Sequence, residues 1–413
     1  MLTVEKNTAK FRFDKRKLRL ILAIRTVVIL LSSALYLPSQ TLTIIHTFNG
    51  TDGNYPNARL YRDSAGNLYG TTKAGGTGGL GTVYKVDTSG KYAVLHDFTG
   101  GPQDGSTPSS GLVGDAAGNL YGTTTTGGAT GEGTVFKLDI SGNVTILHNF
   151  GANSSDGMWP YAAPIREGKS YLYGTASAGG PHGGGVAYKL DSAGNETILH
   201  SFSSNAADGN SPGGGLLLYK GRFYGTTAIG GTSNLGTIFA LHGNKETVSF
   251  NFAGSAGEFP SAGLIKDSSG NFYGTTQFGG DLTCNAASSG CGTVYKLDPT
   301  GQQTVLYSFL GSPDGDDVVA GVVLDKLGNL FGTTVYGGTG SCQTTPYMGC
   351  GTIFAVNQNG QESVLYNFRG GADGAYPFGG VIRDNKGNLY GSAAQGGDNT
   401  CAGGCGTVFK LTP

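Results

Sequence analysis

The stretch Ser110 to Phe150, SGLVGDAAGNLYGTTTTGGATGEGTVFKLDISGNVTILHNF, holds four short runs rich in Val, Ile, Leu, Thr, Tyr and Phe. They are Ser110 to Asp115, Asn119 to Thr124, Gly133 to Asp139 and Val144 to Phe150, and their length and side chains predict β-strands, here named A to D. Asp115-Ala116-Ala117-Gly118-Asn119 joins A to B, and Asp139-Ile140-Ser141-Gly142 joins C to D. Gly supplies positive φ and Asp caps the turn, so both joints read as tight hairpins.

The same unit runs through the chain. Tyr121-Gly122-Thr123-Thr124 has counterparts starting at Tyr69, Tyr173, Tyr224, Tyr273, Phe331 and Tyr390, which makes seven copies spaced 49 to 59 residues apart. The C-strand element starting at Gly133 returns at Gly81, Gly185, Gly236, Gly292, Gly351 and Gly406. After residue 40 no window sustains a 3.6-residue period, so helices are not expected. Repeated four-stranded units of this length predict an all-β fold, a seven-bladed β-propeller with four antiparallel strands per blade over residues 41–413. The phase of the repeat supports a closed ring. The last unit ends on a C strand, Gly406 to Leu411, and the first begins with a lone D strand, Leu42 to Phe48. Pairing of residues 42–48 with that C strand leaves no bare sheet edge.

With NLYGTT, GTVYKLD and LHxF aligned in this way, the chain resembles the GloVer tandem-repeat family of exported bacterial proteins over about nine-tenths of its length. The resemblance implies a propeller and an extracellular or surface location, and it brings no catalytic residues to carry over. Members can bear a C-terminal anchoring tail, from which this chain departs by stopping at Pro413.

Gly is abundant at 75 of 413 residues, but 21 Tyr and 20 Phe give the chain aromatic mass to bury, so it reads as folded and rich in turns. The formal net charge of −1 conceals an asymmetry. Eight of the 27 basic residues lie in the first 25 positions, and beyond residue 40 the balance is 19 basic to 26 acidic. An acidic body repels phosphate backbones, which argues against nucleic acid and anionic membranes as partners.

Lys6, Lys10, Arg12, Lys15, Arg16, Lys17 and Arg19 precede an apolar run, Thr26 to Leu37, that ends in Pro38-Ser39-Gln40. Residues 1–40 therefore read as a signal peptide, or as an uncleaved signal anchor, which would be the only membrane attachment. Either puts the repeats outside the cytoplasm.

The cysteines pair locally as Cys284 with Cys291, Cys342 with Cys350, and Cys401 with Cys405, each inside the B-to-C loop of the fifth, sixth or seventh blade. An even count in an exported chain points to disulfides rather than to a metal centre, whose ligands would have to converge from separate blades. His46, His96, His148 and His200 share one D-strand slot, which holds Phe250, Tyr307 and Tyr366 in later blades. A flat ring, not a ligand, is the common property. An Asp-Gly pair precedes strand A at Asp52, Asp104, Asp156, Asp208, Asp314 and Asp373, and reads as a capped turn. Asp314, Asp316 and Asp317 form the only copy with enough carboxylates to suggest a cation.

Antiparallel alternation places the D-to-A and B-to-C loops on one face, and that face carries the variation in length and all the cysteines. Departures from the repeat there are the candidate binding residues: Tyr55, Trp159 (with Met158), Glu258 in the blade that loses Asp-Gly, Asp316, Asp317, Tyr347 and Tyr376. No Ser-His-Asp order, HExxH or phosphate loop stands out. The first expectation is a monomeric, cofactor-free extracellular scaffold binding a protein or glycan through the loop face. The alternatives are a hydrolase or lyase acting on polysaccharide with carboxylates at the central channel, and a structural envelope component.

Overall fold

The computed structural model describes residues 40–413 apart from 169, 204–207, 285–288 and 345, so all of the predicted export segment but Gln40 lies outside the described residues. Seven four-stranded antiparallel blades follow one another as the repeats predict. In the first, A is Tyr61–Arg62, B Leu68–Thr72, C Thr82–Val86 and D Tyr92–Asp97. In the seventh, Val381–Arg383, Leu389–Ala393 and Thr407–Thr412 supply A to C, and Thr41–Thr47 pairs as D. The described residues contain no α-helix, only a 3-10 turn at Gly254–Ala256.

Each letter of the Tyr-Gly-Thr-Thr repeat has its own physical cause. Tyr69 donates its hydroxyl to Asp63 in the A–B hairpin, as Tyr121 does to Asp115, Tyr273 to Asp267 and Tyr390 to Asp384. Gly70 faces an aromatic ring on strand C, and a Cβ there would sit 2.4 Å from the Tyr84 hydroxyl. Thr71 donates to the carbonyl oxygen of Ser110 in the next blade. Thr123, Thr175, Thr226 and Thr275 repeat that bond to Ala162, Gly214, Ala262 and Ala320. Ser392 completes the circle on Ala58. Thr72 shares a 2.9 Å hydroxyl contact with Thr82 inside the blade.

The core is divided among the spaces between blades. Seven separate apolar clusters each draw on two neighbouring blades, as where Val83 and Phe98 of the first pack on Leu112, Leu120, Phe136 and Leu138 of the second. Phe48, Phe98, Phe150, Phe202, Phe252, Phe309 and Phe368, which close each D strand, are fully buried. Each meets the C-strand ring of the next blade edge-on, with centroids 4.9 to 5.3 Å apart. A ring buried in this way contributes roughly 1.5–3 kcal/mol by area.

The histidine slot and the Asp-Gly turn prove to be two halves of one contact. His46, His96, His148 and His200 place Nε2 3.0 to 3.2 Å from Asp52, Asp104, Asp156 and Asp208. Tyr307 and Tyr366 donate hydroxyls to Asp314 and Asp373 instead. Where the fourth blade passes into the fifth, the D strand has Phe250 and the following loop has Ala256 in place of the Asp, so both partners are replaced together.

Candidate functional site at the channel mouth

On the loop face, every blade bends its D-to-A loop onto its B-to-C loop, through pairs such as Gly105–Ser106 with Thr126–Gly127 or the bridge between Asn54 and Ala74. The next residue is Tyr55, Thr107, Trp159, Ser211, Phe259, Asp317 or Tyr376, one per blade, and all seven have φ between 55° and 65°. None is Gly, the residue that adopts this backbone most cheaply. Each is held by the same two bonds. Its N–H donates to the residue before strand C in the preceding blade, and its carbonyl accepts from the end of its own B strand, as Tyr55 does with Cys405 and Lys73. Strained non-glycine residues recur at one shared position in every blade, which makes this rim the candidate site.

The disulfides bear directly on this ring. All three form between the expected partners: Cys284–Cys291, Cys342–Cys350 and Cys401–Cys405. The carbonyls of Cys291, Cys350 and Cys405 are the acceptors for the N–H groups of Asp317, Tyr376 and Tyr55, at 3.1, 2.9 and 3.2 Å. Each bridge also packs on the following D-to-A loop, where a Cβ added at Gly311, Gly370 or Gly50 would meet its sulfur atoms. The bridges thus brace three consecutive ring residues.

Those three sit in the densest part of the rim. Tyr336 stacks on Tyr347 at 4.5 Å and 7°, and meets Tyr376 edge-on at 5.4 Å. Tyr55 lies 5.9 Å from Phe378, with the Lys73 ammonium 5.9 Å from its ring centre. Burial raises the Tyr55 pKa, helped by Tyr376, and burial followed by Asp317 and the neighbouring tyrosines pushes Tyr336 up to about 12. Of the sequence-predicted residues, Tyr55, Asp316, Asp317, Tyr347 and Tyr376 are therefore brought together in blades six, seven and one. Trp159 belongs to the same ring in blade three and is 43% exposed. Glu258 stands one position before the ring, bridged to Phe278.

The carboxylates are not surface ligands. Asp316 and Asp317 are each only 5% exposed, with one unpaired buried oxygen apiece. Burial pushes Asp316 up to about 6, and burial plus the Asp316 charge pushes Asp317 up to about 7, partly relieved by Gln277. Burial also raises Glu258. Asp314 accepts from the Tyr307 hydroxyl and the Leu310 N–H, as its counterparts do in other blades. Asp316 also lies beside the sulfur atoms of Cys284 and Cys291, which are committed to their disulfide.

Two features escaped sequence reasoning. Ligand atoms of His148, Asp156 and Glu196, and of His200, Asp208 and Glu246, lie within 4.8 Å of one another. The recurrence of Glu at the start of D strands was the available signal. The second is Arg59, which stands where other blades have Gly or Ala.

A repeat profile, the Gloeobacter/Verrucomicrobia repeat, matches residues 34–239, 142–345 and 281–413, nearly the whole chain. The chain belongs to the Gloeobacter/Verrucomicrobia repeat family. Among solved structures, this Gloeobacter/Verrucomicrobia repeat protein is similar to virginiamycin B lyase from Staphylococcus aureus, with 12% identity, a TM-score of 0.56, and coverage of 91% of this chain and 99% of that one. It is also similar to the extracellular domain of a provisional one-component system from B. thetaiotaomicron, with 10% identity and a TM-score of 0.53, over 90% of this chain and 40% of that one. At these identities what is shared is the fold. No curated protein matches the Gloeobacter/Verrucomicrobia repeat chain by sequence. No helix of its described residues is long and apolar enough to cross a membrane.

Proposed function

We propose that this protein is an exported, non-catalytic scaffold that binds a glycan across the mouth of its central channel. Support for export comes from the basic and apolar N-terminal segment and from three disulfides, which persist in oxidising compartments. The observation that carries the binding reading is the bracing of Asp317, Tyr376 and Tyr55 from disulfide-bonded cysteines. Rigid aromatic residues around a concave mouth suit the apolar faces of sugar rings, and holding them in place beforehand lowers the entropic cost of binding. Trp159, Tyr336 and Tyr347 extend that surface.

The test is titration calorimetry of the purified protein against a panel of neutral and acidic oligosaccharides. Binding should be saturable and should weaken about tenfold or more in Tyr55→Ala and Trp159→Ala, the size expected for anchor residues. A wild-type protein indifferent to every glycan, yet retaining a protein from the same compartment, would overturn it.

Asp316 and Asp317 favour the hydrolase or lyase reading as the second. With pKa values raised to about 6 and about 7, they keep a protonated fraction near neutrality that can act as an acid toward a glycosidic oxygen. Release of new sugar ends that disappears in Asp317→Asn would establish that reading in place of the first.

A further inference from the structure

The segments that lead into strand A pack one against the next around the axis. A Cβ at Gly111 would lie 2.8 Å from the Arg59 carbonyl oxygen, one at Gly263 3.0 Å from that of Gly215, and one at Gly321 3.0 Å from that of Gly263. One residue per blade occupies this innermost place: Arg59, Gly111, Ala163, Gly215, Gly263, Gly321 and Gly380. Six are too small to reach into the channel. The seventh carries the longest cationic side chain available.

Arg59 is solvent-exposed yet stands in this innermost ring of segments, beside Gly111, the combination expected of a side chain in a water-filled channel. Among the described residues no carboxylate pairs with it. A guanidinium stays charged there, and with no carboxylate of the protein beside it, its N–H donors can turn to an anionic ligand. The five residues from Pro56 to Leu60 and their counterparts in the other blades contain no Asp or Glu. Burial pushes Asp317, the ring's own carboxylate, up to about 7, so only part of it is ionised near neutral pH.

We infer that Arg59 is an anion-recognition residue of the channel, and that the glycan bound at the mouth carries a carboxylate, as a uronic acid does, which reaches past the aromatic rim to this guanidinium. The class of glycan rests on the binding reading above, whereas the anion site stands without it. A planar guanidinium pairs with a carboxylate through two parallel N–H donors, and sulfate offers the same oxygen spacing.

The experiment compares the wild-type protein, Arg59→Ala and Arg59→Lys by calorimetry at constant ionic strength. The ligands are inorganic sulfate, an oligogalacturonate and a neutral oligosaccharide of equal length. Arg59→Ala should fold, because Ala163 fills the same place in the third blade. The wild type is expected to prefer the oligogalacturonate over its neutral counterpart by about tenfold or more, a preference lost in Arg59→Ala and partly kept in Arg59→Lys. Sulfate should bind the wild type and not Arg59→Ala. Sulfate binding through Arg59 with no glycan bound would uphold the anion site and defeat the glycan reading. Equal affinities of wild type and Arg59→Ala for both anions, or no anion bound by either, would overturn the anion site.

Discussion

The backbone N–H of Phe48 donates to the carbonyl oxygen of Gly406 at 3.0 Å, so the first strand of the chain is fastened to the last. The Phe48 ring is fully buried and meets Tyr84 edge-on at 5.2 Å, which fastens the seventh blade to the first. Phe48→Ala should therefore cost about 3–5 kcal/mol, read by chemical denaturation. A loss below 1 kcal/mol would show that the ring holds without this closure.

Tyr84, Tyr188 and Tyr295 each bury a hydroxyl that has no partner. Phe136, Phe239, Phe354 and Phe409 fill the same C-strand place in the other blades. A buried unpaired hydroxyl costs about 1–3 kcal/mol, so Tyr84→Phe, Tyr188→Phe and Tyr295→Phe should each be neutral or stabilising. The triple variant should unfold at a higher denaturant midpoint with an unchanged slope. A lower midpoint would reveal a partner for these hydroxyls.

Glu196, Glu246 and Glu362 are pushed up to about 7, in each case by burial first and then by Asp156, Asp208 or Asp314. The folded chain thus holds protons on them that the unfolded chain has released, and their contribution is complete below the ordinary carboxylate range and falls as pH rises through about 7. His148 adds to the trend. Burial works against it, but the Asp156 hydrogen bond and the Glu196 charge keep its pKa raised, so its stabilisation also fades with rising pH. Stability should decline between about pH 5 and 8, by on the order of 1 kcal/mol per glutamate. Glu246→Gln and Glu362→Gln should flatten the thermal-melt profile. An equally steep profile in both variants would remove these groups as its cause.

Cutting a brace should affect binding as well as stability. Replacing Cys401 and Cys405 by Ser should cost about 2 kcal/mol of stability, as expected for a short loop. If Tyr55 is positioned through Cys405, glycan affinity should fall in the folded variant too, measured well below its melting temperature. Unchanged affinity would confine the bridge to a stabilising role.

The fold was legible because its rules repeat. Tyr69, Gly70, Thr71 and Thr72 each answer a need that recurs in other blades, so seven noisy copies average to a clear pattern. The site was legible only as departures from that pattern. Trp159, Tyr55, Tyr376 and Asp317 stood out one by one, yet nothing in the sequence shows that they share one positive-φ position, since backbone angle leaves no mark when the residue is not Gly. Arg59 was passed over because a single Arg among small residues resembles an ordinary surface substitution until strand A is known to face the axis. The burial of Asp316 and Asp317 was hidden for a similar reason: loop residues read as exposed, whereas these two are almost fully covered.

The ring at the mouth has a consequence for how such proteins diverge. Thr107, Trp159, Ser211 and Phe259 have one backbone conformation and hang from the same pair of hydrogen bonds, so the scaffold is blind to which side chain stands there. Recognition can then be rewritten at a single position, in one blade, without renegotiating the fold. Gly at Thr107 or Ser211 should even stabilise the chain by up to about 1 kcal/mol, since it adopts this backbone most cheaply. Seven addresses that accept almost any side chain make a surface whose chemistry can drift rapidly on an architecture that stays still.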